Sequence, residues 1–149
     1  YNKTHVTNLT GQTNISIKDM EVNKSNGDLL IWDQLGEALI QGKVMRPAPA
    51  LSLLAQGTSI KTHTGFPTLD VIAVEYDSDS NPVLVDRISQ SFIEVAAGGK
   101  LHTLATFDQV KTVTGQNFFA MTDMTKNAFT NPPALEFADH WNGFLLRLE

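Results

Sequence analysis

Cysteine is absent from the 149 residues, and the four histidines stand far apart in the sequence. Without cysteine the chain has no disulfides, no cysteine-ligated zinc and no thiol nucleophile. The four histidines, His5, His63, His102 and His140, show no His-x-His or His-x-x-x-His spacing of the kind that holds a metal. We therefore expect each histidine to be a surface or packed residue, and we expect no cofactor held by these residue types.

Charge is also low. Charged residues make up 18% of the chain, below the roughly 25% that is usual. Eleven Lys and Arg stand against sixteen Asp and Glu, for a net charge of −5, and the basic residues are scattered singly. Binding to nucleic acid or to an anionic membrane surface requires a basic patch, so the sequence argues against both.

Long apolar runs and catalytic motifs are missing as well. The longest apolar candidate, residues 29–40, is broken by charged and polar residues and falls short of the ~20 residues of a membrane span. The chain contains neither a glycine-rich phosphate loop nor Gly-x-Ser-x-Gly, and the Asp139-His140 pair has no identifiable nucleophile. The sequence thus predicts a protein without a transmembrane segment that is not an enzyme. A hydrolase with an unrecognised site is the third alternative.

Alternating apolar and polar residues between Gly, Asn and Pro turns dominate what is present. Residues 71–85 form the clearest predicted hairpin, and residues 91–106 form a second around Gly98-Gly99. A final strand is expected near 144–148, and a shift in the alternation predicts a bulge near Lys18–Asp19. We predict a single all-β domain over residues 1–149, an antiparallel β-sandwich or jelly roll of about eight strands.

Several segments are less clear. Residues 29–44 fit either a short helix, near 29–41, or a hairpin. Residues 51–65 are interpreted as two strands around a turn at Gly57, and residues 109–119 alternate like a strand. Residues 116–140 are expected to hold a long loop or a helical turn. Residues 1–12 suit an extended arm that adds to a neighbour's sheet edge.

One motif indicates a metal. Asp77, Asp79 and Asn81 place oxygen-bearing side chains at alternate positions, as in the first half of a calcium loop. An EF-hand would continue with Gly and Glu where Pro82 and Ile88 stand, so only a calcium turn of another kind is predicted. The alternative is that these residue types simply favour a hairpin turn.

The remaining hints concern partners. Asn2, Asn8, Asn14 and Asn23 each begin an Asn-x-Ser/Thr acceptor, which would carry glycans on an exported protein. Seven phenylalanines are expected in a core or interface rather than as sugar platforms: Phe92, Phe107, Phe118, Phe119, Phe129, Phe137 and Phe144. Residues 45–47 and 128–135 suit extended interface arms.

Together these observations favour a non-enzymatic structural or binding subunit of a surface assembly or viral particle, acting through protein–protein contacts or self-assembly. The alternative is an extracellular module that binds carbohydrate or calcium. We expect the protein outside cells, in a periplasm or on a virion surface.

Overall fold

The computed structural model describes residues 3–43, 50–127, 129–130 and 133–148. Within them lie eleven strands and three α-helices. In chain order these are α1 (Lys3–Thr10), β1 (Ile17–Val22), β2 (Leu29–Asp33), β3 (Ala38–Lys43), β4 (Ala50–Gln56), α2 (Gly57–Thr64), β5 (Val71–Tyr76), β6 (Pro82–Asp86), β7 (Ser91–Ala96), β8 (Lys100–Thr106), α3 (Phe107–Thr114), β9 (Met121–Asn127), β10 (Ala134–Asp139) and β11 (Phe144–Leu148). The predicted all-β class is confirmed, with three short helices and more strands than the eight expected.

The strands form three antiparallel sheets that follow one another along the chain. The first sheet has the order β1-β2-β3-β4, the second β5-β6-β7-β8 and the third β9-β10-β11. Every strand pairs with its neighbour in sequence, so each sheet is a meander rather than a set of the crossed connections of a jelly roll.

The sheets pack face to face. In the second and third sheets, we call the face turned toward the preceding sheet the front face and the opposite face the back face. In the first sheet, the face that packs on the second sheet is the back face, and the opposite face, which carries Ile31 and Ile40, is the front face. The back face of the first sheet, around Trp32, shares one core with the front face of the second, around Leu84. The back face of the second sheet, around Phe92, shares another with the front face of the third, around Phe137. The expected burial of one sheet against another is therefore present, in three layers.

A helix precedes each sheet and ends in the same way. The dipeptides Thr10-Gly11, Thr64-Gly65 and Thr114-Gly115 close α1, α2 and α3, and all three glycines have positive φ. Four residues before each threonine stands a buried aliphatic side chain: Val6, Ile60 and Val110. Helix, glycine and meander thus make one structural unit that occurs three times.

The ambiguous segment 29–44 is a hairpin. Residues 29–33 pair with 38–42 in continuous register, and the helix expected near 29–41 is not formed. Strand pairing prevails because Trp32 and Leu39 bury on the back face while Ile31 and Ile40 bury on the front. A single helix buries only one stripe of its surface, whereas this hairpin buries both faces.

Two predicted strands are helices. Residues 57–64 form α2, and residues 107–114 form α3. Their alternation of Thr and apolar residues is misleading, because Phe107 and Val110 are one helical turn apart and bury together. The N-terminal arm is a helix too: residues 3–10 form α1, with Val6 buried against the first sheet.

Other expectations fare better. The hairpins over 71–85 and 91–106 and the strand at 144–148 are confirmed. The register between β1 and β2 shifts between Ile17 and Asp19, where the bulge was predicted. Residues 116–140 hold β9 and β10 in place of a long loop. Residues 45–47 lie outside the described residues, as do 128 and 131–132. No helix in the described ranges is long and apolar enough to cross a membrane.

Candidate functional site

Three buried aspartates recur at intervals of 53 residues, each at the end of the second strand of its sheet. They are Asp33, Asp86 and Asp139. A buried carboxylate must recover by hydrogen bonding what it loses in hydration. The surroundings of each aspartate show how it does so.

Asp33 illustrates the arrangement in the first sheet. Its Oδ1 accepts the backbone N–H of Ser16, just before β1, at 2.9 Å, and that of Leu35 at 3.2 Å. In return, the backbone N–H of Gln34 donates to the carbonyl of Ser16 at 2.8 Å. The aspartate therefore ties the turn between β2 and β3 to the segment that enters the sheet.

The other two aspartates repeat this pattern. Asp86 accepts the N–H of Asp70 at 2.7 Å and that of Ser89 at 2.9 Å. Asp139 accepts the N–H of Ala120 at 3.4 Å and the side-chain amide of Asn142 at 2.6 Å. The bonds of all three lie within their own repeats, so these carboxylates are structural and none is presented to a substrate.

The ionisation of Asp139 fits this role. Burial raises the pKa of its carboxyl group, but hydrogen bonds from Asn142, Ala120 and Trp141 outweigh burial and hold the pKa below its usual value. The carboxylate is therefore stabilised in its charged form. Its bonds go to these neighbours rather than orienting His140 as a general base.

An apolar side chain follows two residues after each aspartate. Leu35 is 57% exposed, Ile88 39% and Trp141 72%. Each of them lies in the turn that follows the second strand of its sheet, so the three side chains hold equivalent positions in the three repeats. We call Leu35, Ile88 and Trp141 the turn-edge row.

An exposed aromatic pair extends this row in the third sheet. The rings of Phe118 and Trp141 meet edge to face with centroids 6.1 Å apart. The side-chain amide of Asn142 donates to the carbonyl of Phe118 at 2.7 Å and holds the two segments together. Aromatic side chains held in place at a surface are typical of protein interfaces.

The predicted phenylalanine core is divided. Four of the seven are buried between the second and third sheets: Phe92, Phe107, Phe119 and Phe137. Phe118, Phe129 and Phe144 are exposed. The predicted core location is thus confirmed for four of these seven residues, and an interface role of the other three stays a prediction.

The predicted calcium turn is a hydrogen-bonded hairpin turn. Asp77 Oδ1 accepts the backbone N–H groups of Asp79 at 2.9 Å and Asn81 at 2.8 Å. The side-chain amide of Asn81 donates to Glu94 at 2.8 Å. Asp77 and Asn81 are therefore engaged within the turn, and Asp79 is exposed.

A cleft of about 540 Å³ lies beside this turn. The charged residues that line it are Asp77, Asp79, Glu94 and Arg147, and its apolar wall includes Leu104, Leu135 and Leu148. Its size falls within the range of small-molecule sites. Among the residues that the structure describes, no three His, Asp or Glu side chains are grouped closely enough to hold a metal ion.

Asn23 is a poor glycan acceptor. It is buried, and its side-chain oxygen accepts the backbone N–H of Ser25 at 3.0 Å and the hydroxyl of Ser25 at 2.6 Å. Asn8 and Asn14 are exposed, and Asn2 lies outside the described residues. Of the three acceptors in the described residues, Asn8 and Asn14 are therefore accessible at the surface.

The turn-edge row and the repeat were missed from the sequence, although signals for both are present. Asp-x-Leu, Asp-x-Ile and Asp-x-Trp recur every 53 residues, and Thr-Gly recurs at the end of each helix. No protein-family model matches this chain, and no curated protein matches it significantly.

Proposed function

We propose that this protein is a non-enzymatic binding module that acts through protein–protein contacts along the turn-edge row of Leu35, Ile88 and Trp141. The observation that carries the proposal is the exposure of an apolar side chain at the same position of all three repeats. The turn requires the backbone N–H of this position, as at Leu35 and Trp141. It does not require an apolar side chain. Contact with a partner accounts for that choice, because interfaces are enriched in aromatic anchors near their centres.

The chemistry around the row favours a protein partner over a charged ligand. The residues that follow the three aspartates are Gln34, Arg87 and His140, and Arg87 forms an ion pair with Asp70. The row is thus apolar with a mixed polar rim, as in protein interfaces. We place the protein in a surface assembly or particle outside cells, and the low share of charged residues is the feature of the chain that agrees with this setting.

Tryptophan fluorescence offers a direct test, because the chain has two tryptophans in opposite environments. Trp32 is fully buried, whereas Trp141 is exposed. In a Trp32→Phe variant that retains its fold, Trp141 is the only tryptophan and reports on the row. We expect its emission to shift to shorter wavelength when the assembly partner binds, because the ring leaves water.

Partner identification uses pull-down with the wild-type chain and with a Leu35→Ser/Ile88→Ser/Trp141→Ser variant. The expected result is one protein that the wild-type chain retains and the triple variant loses. Val113→Ser is the matched control, since Val113 is exposed on α3 but outside the row. Equal retention by all three proteins would contradict the proposal.

The second candidate function is binding of carbohydrate or calcium in the cleft beside Asp77 and Asp79. The size of the cleft and its mixture of carboxylates with an apolar wall favour it. Calorimetry with calcium and a glycan array test this function, and Asp79→Ala should abolish any calcium signal. Thr112→Ala, far from the cleft on the exposed surface of α3, is the control.

A further inference from the structure

The front face of the first sheet exposes three positions on β1 that the second sheet buries on β5. Ile17, Met20 and Val22 on β1 are 56%, 52% and 43% exposed. By strand pairing, the equivalent residues of β5 are Val71, Val74 and Tyr76, and all three are buried. The difference arises because the back face of the first sheet covers β5, whereas none of the described residues covers β1 in that way.

The back face of the third sheet shows the complementary difference. Leu145 on β11 is 71% exposed, whereas its equivalents Leu39 and Phe92 are fully buried against the next sheet. Glu136 and Arg147 on the same face are direct cross-strand partners of opposite charge, so together they add no net charge. The back face of the third sheet is therefore equivalent to the two faces that bind a following sheet, but its apolar residue Leu145 is exposed.

Carboxylates join the first strands of neighbouring sheets. Asp19 on β1 accepts the N–H of Met20 with Oδ1 at 2.8 Å and the N–H of Val74 on β5 with Oδ2 at 2.7 Å. Glu75 on β5 repeats this, accepting the N–H of Tyr76 and that of Lys126 on β9. Each carboxylate thus satisfies a backbone donor at the free edge of the next sheet.

Asp123 on β9 holds the same position as Asp19. Its Oδ1 accepts the N–H of Met124 at 2.8 Å, as Asp19 does with Met20. Asp123 is exposed, and no donor among the described residues reaches its Oδ2. The third sheet therefore carries a carboxylate at the position from which Asp19 reaches the next sheet.

We propose that a second copy of this chain docks head to tail, with the front face of its first sheet on the back face of the third sheet. At both sheet–sheet interfaces within the chain, the back face of one sheet packs on the front face of the next sheet. The proposed contact between two copies repeats this arrangement. Helix α1 packs on the front face of the first sheet through Val6. Helices α2 and α3 pack on the front faces of the second and third sheets in the same way, through Ile60 and Val110. Helix α1 leaves β1 uncovered, so the edge of the first sheet is open to a second copy.

The same contact made twice closes a ring of two copies. Three meander sheets from each copy give six sheets, within the roughly 4–8 blades of β-propellers, which use four-stranded sheets. A head-to-tail contact either closes into a ring or grows into a filament. Six sheets fit a closed ring, and two of the three sheets in each copy have the four strands of a blade. We therefore propose the ring rather than the filament; it goes beyond the proposed function because the turn-edge row is not used in it.

Native mass spectrometry and light scattering on the full chain test this proposal. We expect twice the 16.4 kDa chain mass for the wild-type protein. Met20→Glu on the front face and Leu145→Glu on the back face should each give monomers. A pair with one copy of each variant has one intact contact and one contact that carries both glutamates, so an equimolar mixture should form a dimer that is weaker than the wild-type dimer but stronger than either variant gives alone. Val113→Glu, exposed on neither face, should remain a dimer.

Hydrogen exchange of the wild-type chain provides a measurement independent of variants. Amides of β1 and β11 should become more protected as protein concentration rises. A wild-type monomer at high concentration, a filament, or a Leu145→Glu variant that still dimerises would each overturn the proposal. The Leu35→Ser/Ile88→Ser/Trp141→Ser variant should dimerise normally, so failure of the proposed binding function and failure of the ring are separable.

Discussion

Buried carboxylates organise this molecule at the scale of single residues. Burial of a charge is unfavourable unless hydrogen bonds replace its hydration. Asp86 and Asp139 meet that requirement with N–H groups of their own turns and of the segment entering each sheet. Asp33 does so through Oδ1 alone, since its buried Oδ2 has no partner among the described residues. The fourth residue after each aspartate, Glu37, Gln90 or Gly143, has positive φ, so the turn has the same shape in all three repeats.

Asp86→Ala tests the role of these residues. The variant leaves the N–H groups of Asp70 and Ser89 without their acceptor. We expect the free energy of unfolding to fall by about 2–4 kcal/mol, measured by urea denaturation. Asp79→Ala, in the exposed turn, should change it by less than about 0.5 kcal/mol. Equal losses in the two variants would argue against a structural role for Asp86.

Asp139 should contribute a pH-dependent part of the stability. Its folded-state pKa lies below its usual value, whereas the unfolded chain titrates near ~3.9. A depressed folded pKa stabilises the protein above the unfolded pKa, and this contribution is lost as pH falls through the folded pKa.

Urea midpoints for the wild-type protein and Asp139→Asn between about pH 6 and 2.5 measure this effect. We expect the wild-type midpoint to fall more steeply than that of the variant once the pH drops below ~4. Asp79→Asn serves as the control and should follow the wild-type slope. Parallel curves for Asp139→Asn and the wild-type protein would contradict the assignment.

At the scale of elements, the short helices depend on their ends and on one buried stripe. Helix α3 begins with a capping box: Gln109 N–H donates to Thr106 Oγ1 at 3.3 Å, and Thr106 N–H donates to Gln109 Oε1 at 2.7 Å. The N-cap residue of α2 is Gln56, whose side chain makes no capping bond. Eight-residue helices are unstable alone, so packing of Ile60 and Val110 sustains both.

The N-termini of α2 and α3 differ in side-chain capping, so substitutions at the two N-cap residues can be compared directly. Thr106→Ala removes the cap of α3 and should lower the free energy of unfolding by about 1 kcal/mol. Gln56→Ala at the equivalent position of α2 should have little effect, because no cap is lost. Urea denaturation of both variants checks this prediction, which is refuted if Gln56→Ala costs as much as Thr106→Ala.

Of the three described sheets, the second packs against another sheet on both faces. The front face of the first sheet is covered by α1 except along β1, and the back face of the third sheet is exposed at Leu145. The second sheet contributes its front face to one core and its back face to another. Stacked repeats gain stability from contacts with their neighbours. Opening the central sheet therefore costs the most free energy, because it breaks two sheet–sheet interfaces. The outer sheets each have one such neighbour in the chain.

Hydrogen exchange on dilute, monomeric protein should reveal this order. Amides of β6 and β7, which have a paired strand on each side, should exchange most slowly. Amides of β1 and β11, at sheet edges and on open faces, should exchange fastest among the strands. Uniform protection across the three sheets would show that the stack opens as a single unit.

The sequence by itself determined the strand class, the firm hairpins and the bulge near Lys18–Asp19, because alternation and turn residues act over a few neighbouring positions. It also contained the 53-residue spacing of the aspartates, which becomes meaningful only when their shared turn is seen. Tertiary structure decided the rest. Residues 57–64 and 107–114 are helices because Ile60 and Val110 pack into the cores formed where sheets meet. Residues 29–44 are a hairpin because layers lie on both of its faces, and such distant contacts leave no local pattern in the chain.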